Sequence, residues 1–135
     1  MNTIRNFFAA VLVIGSTLLS LPVIAAEADS YIDGEHFRLY YKSTVNPLPL
    51  YRIHGWIIHI DTLDGKPVNG ARVIVYGGMP AHRHGLPTRP RVTEELGDGY
   101  YRLDGVRFHM GGSWEMVFTI RTDGAEDTVV LLLTL

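Results

Sequence analysis

Apolar and polar residues alternate along most of the chain after residue 35, the period expected of half-buried β-strands. The clearest case is the segment 114–121, in which one face is apolar and the other mostly polar. We expect its apolar face to consist of Trp114, Met116, Phe118 and Ile120. In a second segment, Arg52 to Thr62, one face carries Trp56, Ile58 and Ile60. No segment shows the period of an amphipathic helix, so the pattern predicts an all-β protein.

Further strands are predicted wherever the same alternation lies between turn signals such as Asp64-Gly65, Asn69-Gly70 and Asp123-Gly124. These strands are His36–Ser43, Ala71–Tyr76, Tyr100–Met110 with a break near Asp104-Gly105, and Thr128–Leu135. About seven short strands at regular spacing predict an antiparallel β-sandwich. Because the last run, VVLLLTL, is apolar on both faces, we expect it to be paired inside a sheet.

The segment GGMPAHRHGLPTRPRVTEELGDG, residues 77–99, does not follow the alternation. Its glycines and prolines rule out a continuous ladder, which predicts a long loop with a short strand at Arg91–Glu94. Long loops on small rigid sandwiches often carry function. Candidate chemistry is therefore sought here first.

The N-terminal segment has the features of a secretory signal peptide. Arg5 precedes an apolar run from Phe7 to about Leu21, which Pro22 and several small residues follow. We predict a signal peptide over residues 1–26, with the cleavage site after Ala25, Ala26 or Ala28, and a single domain over 27–135. The alternative is an uncleaved membrane anchor, but the run is short for a span of about 20 residues. We therefore expect a periplasmic protein with no stable membrane anchor after cleavage.

Charge and cysteine content narrow the functional classes further. Removal of the signal peptide takes away one arginine and no acid, so the formal net charge of −2 falls by one. A negative charge gives no electrostatic case for nucleic acid as a partner. The chain has no cysteine, which excludes disulfides, a lipidated cysteine and thiolate ligands.

Histidines and methionines cluster in the loop and again before the Trp114 strand. Met79, His82 and His84 lie within six residues, and His109 and Met110 follow later in the chain. Thioether sulfur with imidazole suits copper, especially Cu(I), whereas imidazoles alone would also suit zinc. These five residues are therefore the candidate metal ligands. Neighbours in an extended strand face opposite ways, so His109 and Met110 share a site only if the following glycines bend the chain.

The same residues have ordinary structural interpretations. The histidines would then hydrogen-bond backbone carbonyls, and the methionines would fill the core. His36, His54 and His59 are isolated on predicted strands, and we expect them to be surface or packed residues rather than ligands. No nucleophile–base constellation or pair of acids in a catalytic context is visible, so no enzymatic activity is expected.

Three longer segments resemble the YtkA-like and FixH-like group of exported β-sandwich domains. They are DGKPVNGARVIV, MPAHRHGLPTRPRV and GDGYYRLDGVRFHMGGSWEMVFTI, and the similarity covers about Trp56 to Leu135. The resemblance implies an immunoglobulin-like sandwich and an association with copper handling in the cell envelope. Its motifs fall on Met79, Pro80 and His82 and, in the last segment, on Met110, Gly112 and Trp114. FixH-type proteins also carry a membrane helix, which is not expected to remain here.

These observations lead to one principal expectation and two alternatives. We expect a periplasmic copper-binding protein, a carrier or buffer that delivers Cu(I) to an envelope cuproenzyme or its assembly factor. The first alternative is a non-metal protein-interaction module that uses the 77–91 loop, which Arg83, Arg89 and Arg91 make locally basic. The second alternative is capture of a small ligand between the sheets near Trp56 and Trp114.

Overall fold

The computed structural model describes residues 31–135, so the predicted signal peptide lies outside the described residues. In this part of the chain no helix is long and apolar enough to cross a membrane. One short 3₁₀ turn, Pro80–His82, interrupts a series of β-strands. The strands are β1 Ile32–Asp33, β2 Phe37–Ser43, β3 His54–Thr62, β4 Arg72–Met79, β5 His84–Gly85, β6 Arg91–Gly97, β7 Tyr100–Val106, β8 Ser113–Arg121 and β9 Glu126–Thr134.

These strands form one antiparallel sheet that folds back on itself. Their order is β1-β2-β3-β7-β6-β4-β8-β9, and β5 pairs with β4 outside this path. A single residue pair, Ile74 with Arg91, joins β4 to β6, so the sheet has two parts, β1-β2-β3-β7-β6 and β4-β8-β9. The predicted all-β, sandwich-like class is confirmed. The described residues contain nine strands rather than about seven because β1 and β5, of two residues each, have no alternation to detect.

The core lies between the two parts of the sheet and follows the predicted alternation. The apolar faces predicted for β3 and β8 are fully buried, with at most 1% of each side chain exposed, for Trp56, Ile58, Ile60, Trp114, Met116, Phe118 and Ile120. The Phe108 ring lies between the two indoles, 6.3 Å from Trp56 and 5.2 Å from Trp114 between ring centroids. Side chains therefore fill the space in which the small-ligand alternative would need a cavity.

The predicted long loop is shorter than expected, because strands extend into it from both ends. β4 continues to Met79, three residues beyond the predicted end, and β6 runs to Gly97. The packing around Gly77 explains why the strand continues past the Gly77-Gly78 pair. A Cβ atom at that position would lie 2.6 Å from both the Leu86 Cδ1 and Met116 Sδ atoms. The glycine leaves room for Leu86 to pack against the strand, and the segment between β4 and β6 is reduced to residues 80–90, which contain β5.

The prediction for the last strand is wrong. β9 pairs only with β8 and is the terminal strand of the sheet, with Leu132 70% exposed. Its outer edge approaches the start of β2, where the Asp127 carboxylate accepts hydrogen bonds from the backbone N–H groups of His36 and Phe37, at 2.8 and 2.9 Å. A side chain, instead of a backbone ladder, therefore links the two ends of the curled sheet.

Candidate metal centre

A tight hairpin places His84 opposite Met79. Pro80 occupies the first position of the 3₁₀ turn, where its missing N–H costs nothing. Arg83 has a left-handed backbone conformation, with φ of 54°, and its N–H donates to the Pro80 carbonyl at 3.3 Å. The chain thereby reverses, and Met79 and His84 become cross-strand partners in β4 and β5. Such partners carry their side chains on the same face of the sheet, with Cβ atoms about 5 Å apart.

A second histidine reaches the same place from a distant part of the chain. The His84 and His109 ring centroids are 4.8 Å apart. Both side chains are half-buried, and the Nδ1 atom of each is buried without a hydrogen-bond partner among the described residues. A buried imidazole nitrogen without a partner is costly. Binding a metal ion would remove that cost by using the nitrogen as a ligand.

The Trp114 indole forms a wall beside this histidine pair. Its ring lies 6.0 Å from the His84 ring and 5.5 Å from the His109 ring, in both cases edge to face. The indole Nε1 donates a hydrogen bond to the Met110 carbonyl at 3.1 Å. This bond fixes the backbone directly after His109, while the buried ring keeps water away from one side of the pair.

Met79 approaches the segment that contains Met110. Only 2% of Met79 is exposed, and its Cε atom lies 2.9 Å from the position that a Cβ atom would take at residue 112. Gly112 has a φ of +120°, a conformation that side chains rarely adopt. Met110 is half-buried and packs against the core. The absence of a side chain at Gly112 therefore leaves room for the Met79 methyl group.

His82 lies on the solvent side of the cluster. Its side chain is exposed, and its ring centroid is 5.8 Å from that of His84. Among residues 31–135, no three or more His, Asp or Glu side chains are arranged to hold a metal ion. A three-ligand site at this position would therefore need a thioether, from Met79 or Met110, beside the imidazoles.

The other histidines are engaged elsewhere, in agreement with the expectation for isolated strand histidines. The His59 ring bonds to the Tyr31 hydroxyl at 2.7 Å and to the Asp98 carbonyl at 3.0 Å. His54 is buried, with its Nδ1 atom 3.1 Å from the Arg52 carbonyl oxygen, and His36 is exposed. None of the three has a ring contact with the cluster in the described part of the chain.

The sequence placed Trp114 beside the small-ligand alternative but not at the candidate metal site, although its position matches a motif of the resemblance. The alternation along β8 assigned it to the core, and its burial of 99% agrees. Its contact with His84 depends on the hairpin at residues 79–84, which no periodic pattern marks. An aromatic residue two positions after the Gly111-Gly112 pair was the available signal.

Comparison with known families agrees with the resemblance. Residues 53–118 match the model of a family described as YtkA-like. The match begins just before β3 and ends within β8, so it includes all five candidate ligands and Trp114. No curated protein and no solved structure gives a significant match to the chain.

Proposed function

Residues 53–118 belong to the YtkA-like family, and from that premise we propose that this protein binds copper as Cu(I). His84 and His109 supply the central imidazole ligands, and Met79 supplies a thioether. His82 and Met110 complete or replace this set as copper enters and leaves. In this proposal the protein is a carrier or buffer that delivers copper to an envelope cuproenzyme or its assembly factor.

The proposal depends mainly on the His84–His109 pair. The two rings lie 4.8 Å apart between centroids, and the Nδ1 atom of each is buried without a hydrogen-bond partner in the described residues. Each ring can therefore supply one nitrogen ligand. Met79 lies across the ladder from His84 and adds a soft, uncharged sulfur. Thioether sulfur favours Cu(I) over hard cations, while zinc prefers four ligands, commonly including thiolate or carboxylate.

The exposure of the cluster supports transfer rather than permanent storage. Met79 is buried, His84 and His109 are half-buried, and His82 is exposed, so the donors extend from the core to the surface. A partner can reach the outer imidazole without unfolding the domain. The partner's ligands can then replace the copper ligands of this protein one at a time, as a carrier requires.

We also propose a periplasmic location and a binding role without catalysis. The location is supported by the signal-peptide features of residues 1–26. The binding role is supported by the composition of the cluster, in which imidazole and thioether groups carry no nucleophile paired with a base. Metal ions and envelope proteins are the expected partners, and the net charge of −2 argues against nucleic acid.

Competition between the purified protein and a chromophoric Cu(I) chelator tests the proposal. We expect one equivalent of Cu(I) to bind, and His84→Ala and His109→Ala each to weaken binding at least about tenfold, since each removes one ligand. The matched control is His36→Ala, which removes an exposed histidine outside the cluster. Wild-type affinity in both cluster variants, or an equal loss in the control, would refute this ligand set.

The protein-interaction module is a second candidate, and a separate observation favours it. Arg89 and Arg91, at the end of the 77–91 segment, are exposed and form no ion pair with any described residue. Arginines left without a carboxylate are available to a partner. The two candidate functions are compatible, because the arginines and the histidine cluster lie on different parts of the segment.

A further inference from the structure

A cleft of about 580 Å³ lies along β4, beside the single residue pair that joins the two parts of the sheet. Its volume is within the range of about 300–1,000 Å³ that is usual for binding sites. Residues of β4 form one side and the segment 86–91 forms the other. The lining residues used below are Arg72, Ile74, Leu86, Thr88, Arg89 and Arg91.

Three of these residues are arginines without partners. Arg72, Arg89 and Arg91 are exposed, and none of them forms an ion pair with a described residue. Several other basic side chains of the described part are paired with carboxylates, namely Arg38, Lys66, Arg102 and Arg121. Since the whole chain carries a net charge of −2, the three free guanidinium groups are a local concentration of positive charge.

The cleft is also partly apolar, which distinguishes it from a simple anion site. Ile74 is 42% exposed, and the half-buried Leu86 also lines the cleft. Thr88 has a buried hydroxyl without a hydrogen-bond partner in the described residues. A suitable occupant therefore presents carboxylates and apolar side chains together, as an acidic peptide in an extended conformation does.

We propose that this cleft binds an extended acidic segment of a protein partner. Its carboxylates pair with Arg72, Arg89 and Arg91, since guanidinium groups bind carboxylates through two parallel hydrogen bonds. Its apolar side chains pack on Ile74 and Leu86. Binding does not require copper. A docked partner would nevertheless lie close to the proposed metal centre, because Leu86 follows His84 by only two residues.

Fluorescence anisotropy of the metal-free protein with a fluorescein-labelled peptide of alternating glutamate and valine tests this proposal. We expect saturable binding that weakens as salt is raised, because exposed ion pairs are screened. The double variant Arg89→Glu/Arg91→Glu should weaken binding at least about tenfold. The matched control is Arg52→Glu, since Arg52 is exposed, does not line the cleft and forms no ion pair with a described residue.

Several results would overturn the proposal. These are absence of binding, equal binding of a peptide with lysine in place of glutamate, and equal loss in Arg52→Glu. Tighter binding of a labelled single-stranded oligonucleotide would assign the cleft to nucleic acid instead. Copper titration of the Arg89→Glu/Arg91→Glu variant separates the two proposals, because its Cu(I) affinity should equal that of the wild type.

Discussion

Met79 and His84 are paired across the hairpin that joins β4 to β5, so a thioether and an imidazole project from the same face of one short ladder. Four residues, 80–83, make the whole connection. His109 then approaches from the segment that precedes β8 and brings its ring 4.8 Å from that of His84. The donor cluster thus combines one local pair, fixed by a turn, with one long-range contact, fixed by the topology.

Replacement of Met79 by leucine should separate its packing role from its donor role. Leucine has a similar volume, so we expect the free energy of unfolding to fall by less than about 1.5 kcal/mol. Loss of the sulfur should weaken Cu(I) binding in the chelator competition. The matched control is Met116→Leu, a fully buried methionine on β8, which should leave Cu(I) affinity unchanged. Equal affinity of the two variants would remove Met79 from the ligand set.

Gly112→Ala should disturb the cluster without changing any proposed ligand. The new methyl group would lie 2.9 Å from the Met79 Cε atom, on a backbone with φ of +120°. We expect a loss of about 1–3 kcal/mol in the free energy of unfolding, together with weaker Cu(I) binding. In Gly124→Ala the new methyl group meets no atom within 4 Å, and urea denaturation should give nearly wild-type stability. A wild-type Cu(I) affinity in Gly112→Ala would show that the position of Met79 does not matter.

Asp127 should make the stability of the fold depend on pH in the acidic range. Burial raises the pKa of its carboxyl group, but backbone N–H donors from His36, Phe37, Glu35 and Thr128 together lower that pKa below its ordinary value. A lowered pKa means that Asp127 stabilises the fold fully above its unfolded pKa. This contribution is lost as the pH falls through the folded pKa.

Asp127→Asn should therefore reduce the free energy of unfolding by about 1–3 kcal/mol near neutral pH, with a smaller difference from wild type below about pH 4. Urea denaturation at several pH values measures this. The control is Asp123→Asn, a change in an exposed turn residue. A difference between wild type and Asp127→Asn that stays constant down to pH 2 would contradict the assignment.

The Tyr101 hydroxyl should be worth about 1–2 kcal/mol to the fold. It donates to the Val68 carbonyl at 2.6 Å and accepts from the Ala71 N–H at 3.1 Å, tying the turn before β4 to β7. Burial raises the pKa of this hydroxyl above its ordinary value. Tyr101→Phe should lower the denaturation midpoint in urea. Tyr100→Phe, which alters the adjacent and exposed tyrosine, should change it little.

The sequence predicted the strands that have one buried face, because a period of two is visible without tertiary information. The faces of β3 and β8 are the examples, and all seven of their predicted core residues are buried. The extent of β4 was not predictable, because two glycines normally end a strand. If β4 ended at Tyr76, as predicted, Leu86 would not be expected to contact it. In the structure, Leu86 packs into the space beside Gly77.

Edge positions and long-range contacts could not be predicted from the sequence, for a different reason. The apolar run of β9 suggested a strand paired on both sides, but strand order is a property of the whole sheet. Likewise, the five candidate ligands could be chosen by chemistry, whereas the proximity of His84 to His109 required the fold. Both His82 and His84 were candidate ligands, and the resemblance placed its motif on His82, but the structure brings only His84 against His109 and Trp114.

X-ray absorption at the copper edge of the Cu(I)-loaded protein tests the central claim most directly. The account predicts one copper ion per chain with a mixed first shell of two imidazole nitrogens and at least one thioether sulfur. The sulfur scattering should diminish in Met79→Leu, and the imidazole scattering should diminish in His109→Ala. A shell of nitrogen and oxygen alone, or failure of the folded protein to retain copper, would contradict a copper centre built from Met79, His84 and His109.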